Sequence, residues 1–201
     1  FTLWDPERPL PRAAELRQLE DVRFSVIKPY EFKKDGYRFL HGIALIWHKG
    51  RLYASFGHNR GGENTDTEEA KYRVSTDGGR TWGPVGVIDA GEAGVAVSHG
   101  QFLSYRGTLW AFHGCYEGIM KNLRMRAYTL DERRDRWVPR GVVSRGKFWS
   151  SQNPIRMADG NWIMAGIIVN GRNSPAAVSI SRGDDFTAWD VVTIPKPPGK
   201  M

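Results

Sequence analysis

The sequence predicts an all-β fold, a β-propeller with four-stranded antiparallel blades, of which about three lie in this chain of 201 residues. Three observations predict it. A turn motif that ends in tryptophan recurs along the chain, and a second motif recurs with nearly the same spacing. Glycine and aromatic residues are also abundant. Short strands separated by regular turn signals are typical of propeller blades.

The turn motif is clearest in Ser75-Thr-Asp-Gly-Gly-Arg-Thr-Trp82, which reads S-x-D-x-G-x-T-W, the Asp-box pattern. Degraded copies end at Trp137 and Trp189, so successive tryptophans are 55 and 52 residues apart (82 to 137 to 189). In such a turn, Asp and Ser side chains bond backbone N–H groups and Gly supplies positive φ. We therefore expect the boxes to be structural, with each tryptophan packed between blades.

The second motif opens each unit with a polar pair: His41-Gly42, His99-Gly100 and Gln152-Asn153. The steps are 58 residues (41 to 99) and 54 residues (99 to 153). Each unit continues with a strand, a glycine turn, a second strand, a loop, a third strand, the Asp-box turn and a fourth strand. This order predicts blades over about 38–90, 91–145 and 146–195.

The segments outside the blades are expected to be connections. Residues 1–37 form a lead-in with an outer strand over 23–27, and residues from 195 to 201 lead to a further blade. Three blades cannot close a ring, since propellers have about four to eight. We expect a partial ring, part of a seven-bladed propeller whose remaining blades come from the same gene product or from another chain.

Charge favours an anionic partner. The chain has 29 basic and 22 acidic residues, a net charge of +7 and a pI of about 9.7. A basic surface attracts polyanions such as acidic polysaccharides. No recognisable nucleic-acid-binding module and no membrane-length apolar run occurs, so neither nucleic acid nor a membrane is an expected partner. Cys115 is the only cysteine, which excludes a disulfide within the chain.

Four of the five histidines lie at the strand ends opposite the Asp-boxes. They are His41, His58, His99 and His113, whereas His48 falls in a turn and is expected to be exposed. A neutral imidazole accepts a proton near neutral pH, and an imidazolium returns one. His58, His41 and His99 are therefore the candidate catalytic residues. The alternative is that these histidines make structural hydrogen bonds at the blade ends.

The same strand ends and loops carry residues expected to bind a substrate: Arg60, His113, Tyr116, Arg124, Gln152, Asn153 and Arg172. Arginine makes paired, charge-assisted hydrogen bonds with carboxylates. Converging histidines would also suit zinc, although no metal-binding spacing is present. The sequence specifies no cofactor, and a structural divalent cation, calcium or zinc, is left open.

The Asp-boxes resemble those of the sialidase-like, BNR-repeat superfamily. The segments 41–59 and 98–114 look more narrowly like seven-bladed propeller enzymes that cut between L-rhamnose and glucuronate. These enzymes are described as α-L-rhamnosidases and as rhamnose–glucuronate lyases, and they are related to ulvan lyases. The resemblance implies a histidine-centred site with His58 as the catalytic histidine and His41 and His99 beside it. The F-R-I-P element and arginine triad of sialidases are not found.

These observations predict a secreted or periplasmic enzyme that cleaves the L-rhamnose–glucuronate linkage of acidic polysaccharide side chains by histidine-dependent β-elimination. Glycoside hydrolysis needs two opposed carboxyl groups, and the rim segments offer few, namely Glu63, Asp66, Glu92 and Glu117. In elimination, arginine neutralises the uronate carboxylate while histidine and tyrosine handle protons. The alternatives are a glycoside hydrolase, of the α-L-rhamnosidase or sialidase-like type, and a non-catalytic glycan-binding propeller.

Overall fold

The computed structural model describes residue 7 and residues 9–196. Within these residues the chain forms a 3₁₀ turn (Ala13–Glu15), one helical turn, α1 (Phe32–Asp35), and thirteen strands. The strands are β1 (Phe39–His48), β2 (Arg51–Asn59), β3 (Glu68–Ser75), β4 (Gly86–Asp89), β5 (Val95–Tyr105), β6 (Thr108–Glu117), β7 (Lys121–Asp131), β8 (Arg136–Ser144), β9 (Phe148–Ser150), β10 (Ile155–Arg156), β11 (Trp162–Ile168), β12 (Ala176–Arg182) and β13 (Asp185–Thr193).

The strands form three antiparallel sheets with the orders β1-β2-β3-β4, β5-β6-β7-β8 and β10-β11-β12-β13. Strands that follow one another in sequence lie side by side, as in propeller blades. The predicted fold class, a partial propeller of three four-stranded blades, is therefore confirmed.

The third sheet departs from the regular pattern in its innermost strand. β9 pairs with the end of β11 and β10 pairs with its beginning, so two short strands replace one. Pro154 lies between them. Proline has no backbone N–H to donate to a neighbouring strand, so Pro154 cannot continue the pairing.

Two of the box tryptophans fill the apolar layers between sheets, as predicted. Trp137 packs between the first and second sheets, with ring centroids 5.8 Å from Tyr72 and 5.9 Å from Phe102. Trp189 packs between the second and third sheets, 5.4 Å from Phe112. Truncating a buried aromatic of this size typically costs about 3–5 kcal/mol, so these layers stabilise the stack strongly. Trp82 instead lies half-buried at the Asp-box edge of the first sheet, where its Nε1 donates to Ser25 Oγ at 3.4 Å.

The first Asp-box shows why the motif has its composition. Asp77 accepts hydrogen bonds from Thr81 N at 2.9 Å, Thr81 Oγ1 at 2.6 Å and Ser75 Oγ at 2.8 Å. Ser75 Oγ in turn accepts from Gly79 N at 2.8 Å. The bonds from Thr81 and then Ser75 lower the pKa of Asp77 to about 2. The box thus closes the turn after β3 with its own side chains, at the edge where β1 ends.

Two local expectations are wrong. Residues 23–27 form no strand; they lie along the outer face of the first sheet, where Arg73 donates to the carbonyl of Ile27 at 2.5 Å. Phe24 remains almost fully exposed there. His48 is buried instead of exposed, because it ends β1 facing the second sheet, where it bonds Ser104 Oγ at 2.7 Å.

The two terminal sheet faces keep apolar side chains exposed. On the first sheet these are Ile43, Leu45 and Trp47, and on the third sheet Ile155, Ile167, Val192 and Ile194. Residues 1–6, 8 and 197–201 lie outside the described part of the chain, and they include most of the predicted connector. No helix among the described residues is long and apolar enough to cross a membrane.

Asn153 links all three sheets from the broken strand of the third. Its Oδ1 accepts from Phe102 N of β5 at 2.9 Å, and its Nδ2 donates to Leu45 O of β1 at 3.0 Å. We predict that Asn153→Ala lowers the free energy of unfolding by about 1–2 kcal/mol, since each lost hydrogen bond costs about 1 kcal/mol.

Urea denaturation measures this, with Asn173→Ala as the matched control. The side chain of Asn173 is exposed, and its substitution should change stability by no more than about 0.5 kcal/mol. Equal effects of the two substitutions would show that the bridge contributes nothing.

Candidate functional site

A buried carboxylate lies at the sheet edge opposite the Asp-box turns, where β1 begins, β2 ends and β3 begins. It belongs to Glu68, the first residue of β3, whose side chain is 0% exposed and points towards the second sheet. Gly57 of β2 makes room for it, because a Cβ atom there would lie 2.0 Å from Glu68 Oε1. Glycine at this position therefore allows the carboxylate to enter.

Three donors satisfy the Glu68 carboxylate. Oε1 accepts from His41 Nε2 at 2.6 Å and from Ser98 Oγ at 2.6 Å, and Oε2 accepts from Tyr116 OH at 2.6 Å. Burial would raise the pKa of Glu68, but the hydrogen bonds from His41, Ser98 and Tyr116 outweigh it and hold the pKa below its usual value. Glu68 is therefore an ionised, fully hydrogen-bonded carboxylate, the state in which a buried charge is tolerated.

His41 connects this carboxylate to the surface. Its side chain is 18% exposed, and its second ring nitrogen, Nδ1, lies 3.5 Å from Oε1 of the exposed Glu63. Burial would lower the pKa of His41, but the hydrogen bond and charge of Glu68, together with Glu63, raise it above the usual value. The Nε2 atom of the imidazole is thus held inside the protein, while Nδ1 faces the open edge.

His99 packs against His41 from the second sheet, with ring centroids 4.5 Å apart. Its Nδ1 lies 3.1 Å from Ser98 Oγ, and its Nε2 lies 3.0 Å from Trp149 Nε1 of the third sheet. Burial, with a smaller effect of the His41 charge, lowers the pKa of His99 to about 4. Gly42 accommodates this ring, since a Cβ atom there would lie 1.9 Å from His99 Cγ. Gly42 of the first His-Gly pair thus allows a close approach between the first and second sheets.

The hydrogen bonds determine which nitrogen of each histidine carries hydrogen. An indole N–H only donates, so Trp149 requires His99 Nε2 to accept and places the His99 hydrogen on Nδ1, towards Ser98. Ser98 then donates to Glu68, as does His41 through Nε2. Neutral His41 therefore carries its lone pair on Nδ1, the atom that faces the surface.

The same cluster offers a set of metal ligands. His41, Glu68 and His99 each present one ligand atom, and these atoms lie within 4.8 Å of one another. Two imidazoles and a carboxylate suit zinc. An ion would have to displace the His41–Glu68 hydrogen bond, because that bond occupies ligand atoms of both residues. The expected calcium or zinc ion stays a prediction, and His113 is not part of this set.

His58, the first choice for the catalytic histidine, lies on the other face of the first sheet. Side chains alternate along a strand, so His58 and Gly57 point in opposite directions. His58 stacks on Tyr37 with ring centroids 3.9 Å apart, and its buried Nδ1 has no partner within the described residues. Burial lowers its pKa to about 4. The structure brings His41 and His99 together and leaves His58 apart.

His113 and Tyr116 do not fit their predicted role in substrate binding, because both are completely buried. His113 Nδ1 donates to the carbonyl of Ser98 at 2.7 Å, and burial lowers its pKa to about 4. Tyr116 donates to Glu68. Both side chains thus form buried hydrogen bonds with residues around His41, namely Ser98 and Glu68.

The remaining predicted binding residues are spread over the molecule. Arg60 lies on the outer face with Tyr37 and Glu69, and Arg124 pairs with Glu117 at 3.1 Å. Asn153 bridges strands, as described above, and Gln152 and Arg172 are exposed in loops of the third sheet. None of these side chains bonds to His41.

Glu68 and Trp149 were not predicted as site residues from the sequence. Glu68 carries a detectable signal, since it shares the inward-facing row of β3 with Ala70 and Tyr72, which are both buried. A charged residue in an otherwise buried row is a functional candidate. Trp149 carries no such signal, because only the fold brings it to His99.

No protein-family model matches this chain, and no curated protein is similar to it. Solved structures do match. A Hadza microbial sialidase superposes with a TM-score of 0.62 at 16% identity, covering 79% of this chain and 38% of that chain. A family 117 glycoside hydrolase of Zobellia galactanivorans gives 0.57 at 16%, covering 85% and 60%. The endo-arabinase of Bacteroides thetaiotaomicron gives 0.57 at 14%, covering 79% and 61%.

These comparisons agree with the observed fold, a partial β-propeller. The chain spans less than two thirds of the length of each of these structures. At sequence identities of 14–16%, this similarity shows a shared fold and nothing about activity.

We predict that the histidines titrate separately. His41 should titrate above its usual value of about 6.5, whereas His99 should stay neutral down to about pH 4. Histidine NMR titration measures both, and the replacement Glu68→Gln should lower the pKa of His41. Ordinary, equal pKa values for His41 and His99 would contradict the described arrangement.

The same shifts predict a pH window of stability. The raised pKa of His41 stabilises the fold below about pH 6.5, and this contribution is lost as the pH rises through the pKa of the folded state. The lowered pKa of Glu68 stabilises the fold above about pH 4.3, and this contribution is lost as the pH falls through the pKa of the folded state. The pair should stabilise the fold most between these limits, as measured by urea unfolding against pH. An identical profile in Glu68→Gln would show that the pair is not responsible.

Proposed function

We propose that this chain is part of a glycan-cleaving enzyme in which His41, oriented by Glu68, transfers the proton. The observation that carries the proposal is the dyad itself: a buried carboxylate 2.6 Å from His41 Nε2, with Nδ1 of the same ring facing the open edge. In histidine-based catalysis a buried carboxylate commonly fixes the ring and stabilises the imidazolium that forms.

The chemistry follows from the two nitrogens of His41. The lone pair on Nδ1 accepts a proton from water or from a sugar hydroxyl, and the charge that forms is stabilised by Glu68. Because the pKa of His41 is raised, protonated His41 can also donate to a departing glycosidic oxygen. Both roles are general acid–base catalysis, which typically contributes about 10²–10⁴-fold to a rate.

Hydrolysis is the favoured mode of cleavage. Glu63 lies beside His41 and supplies an exposed carboxylate as a second group at the reacting bond. Elimination at a uronate needs a cation to neutralise the carboxylate of the sugar. Within the described residues Arg60 lies on the other sheet face and Arg124 is paired with Glu117, so neither serves His41. The structural likeness to a sialidase, a glycoside hydrolase and an arabinase supports the same choice.

The second candidate is β-elimination at an L-rhamnose–glucuronate linkage. The net charge of +7 favours an acidic glycan, and a neutral imidazole is a suitable base for the C–H next to a uronate carboxylate. Such an enzyme, like the hydrolase, would be secreted or periplasmic, where polysaccharides are met. The further blades expected from the sequence would complete the site.

We predict that His41→Asn lowers turnover by about 10²–10⁴-fold, because the proton-transferring group is lost. Glu68→Gln should lower kcat and shift the pH profile. Release of sugars from sialyllactose, linear arabinan and a rhamnosyl-glucuronate oligosaccharide measures turnover, and melting temperatures check that the variants fold.

Two matched controls separate the sheet faces. His58→Asn and Glu69→Gln change the same residue types on the outer face and should retain most of the activity. If His58→Asn abolishes turnover while His41→Asn does not, the assignment made from the resemblance stands and the one proposed here fails. Ultraviolet absorbance of an unsaturated uronate among the products would establish elimination, and glycan binding without turnover would establish a binding module.

A further inference from the structure

One large cavity in the described part of the chain lies at the opposite edge from His41. It is a groove of about 650 Å³ between the first and second sheets, bounded by the first Asp-box turn and the turn between β7 and β8. This volume lies within the range of ligand-binding pockets, about 300–1,000 Å³. We call it the box-edge groove and define it by Arg51, Tyr53, Tyr72, Trp82, Glu132 and Asp135.

The floor of the groove is aromatic and polar. Tyr53 and Tyr72 are only 4% and 8% exposed, and their hydroxyl groups lie beside Arg51 and Asp135 respectively. The Tyr72 ring packs directly against Gly86, where a Cβ atom would lie 2.3 Å from Tyr72 Cε1. Both aromatic rings are therefore held by packing.

The wall and rim supply complementary groups. Trp82, which is half-buried, lines the wall. The rim carries the guanidinium of Arg51 and the carboxylate of Asp135, two planar groups of opposite charge. The other rim carboxylate, Glu132, already binds Lys49 at 2.5 Å. The groove therefore presents an aromatic face and balanced charges.

This combination suits a saccharide. A sugar ring packs its C–H face on an aromatic ring, while neighbouring hydroxyls bond to planar charged groups and phenols. Balanced charges favour an uncharged sugar over a uronate or a phosphate, which would need surplus cations. We propose that the box-edge groove binds an uncharged oligosaccharide segment, as a second site separate from the His41–Glu68 dyad.

Binding is tested by NMR and calorimetry with maltopentaose, cellopentaose and arabinopentaose, and with a galacturonate pentamer as the charged probe. The protein carries His41→Asn, so that the outcome does not depend on turnover. We expect at least one uncharged probe to shift the Trp82 indole signal. Trp82→Ala and the exposed rim variant Asp135→Asn should each raise its Kd about tenfold, or about 1.4 kcal/mol.

Trp47→Ala is the matched control, because Trp47 is an exposed tryptophan on the outer face of the first sheet and does not line the groove. Its Kd should be unchanged. The proposal is overturned if no uncharged probe shifts Trp82, if the galacturonate pentamer binds there more tightly, or if Trp82→Ala and Asp135→Asn leave the Kd unchanged. Activity of the enzyme plays no part in these outcomes.

Discussion

The arrangement of the candidate site depends on burying the Glu68 carboxylate between two sheets. An ionised group removed from water costs several kcal/mol unless hydrogen bonds compensate for it. Here the compensation comes from His41 of the first sheet and from Ser98 and Tyr116 of the second. The two sheets must therefore meet in one register, because any sliding would separate the carboxylate from its donors.

Two positions at this edge must be glycine because of the same close packing between the sheets. Gly57 leaves space for the carboxylate and Gly42 leaves space for the His99 ring, at distances where no side chain would fit. His99 then links the second sheet to Trp149 of the third. The hydrogen-bonded cluster thus joins all three sheets at one edge, while the Asp-box turns, closed by their own side chains, hold the strands at the other.

Much of the fold follows from sequence, because the repeat has a local cause. The Ser75–Trp82 turn makes its hydrogen bonds within eight residues, so its pattern can be recognised in the sequence alone. The candidate site is harder to predict from the sequence, because its residues come from different strands. The position of His41 at a strand start was predicted, but its partner Glu68 lies on a different strand, and the separation of His58 depends on the alternation of β2. Trp149 reaches His99 only through sheet packing, over 50 residues of sequence, and no local pattern marks it.

The buried cluster holds neutral His41 with its hydrogen on Nε2 and its lone pair on Nδ1. A long-range ¹H–¹⁵N correlation spectrum of the histidine side chains, recorded above the pKa of His41, reports this directly. The described hydrogen bonds predict a protonated Nε2, an unprotonated Nδ1 and a fixed tautomer. A hydrogen on Nδ1, or rapid averaging between the two tautomers, would contradict the account.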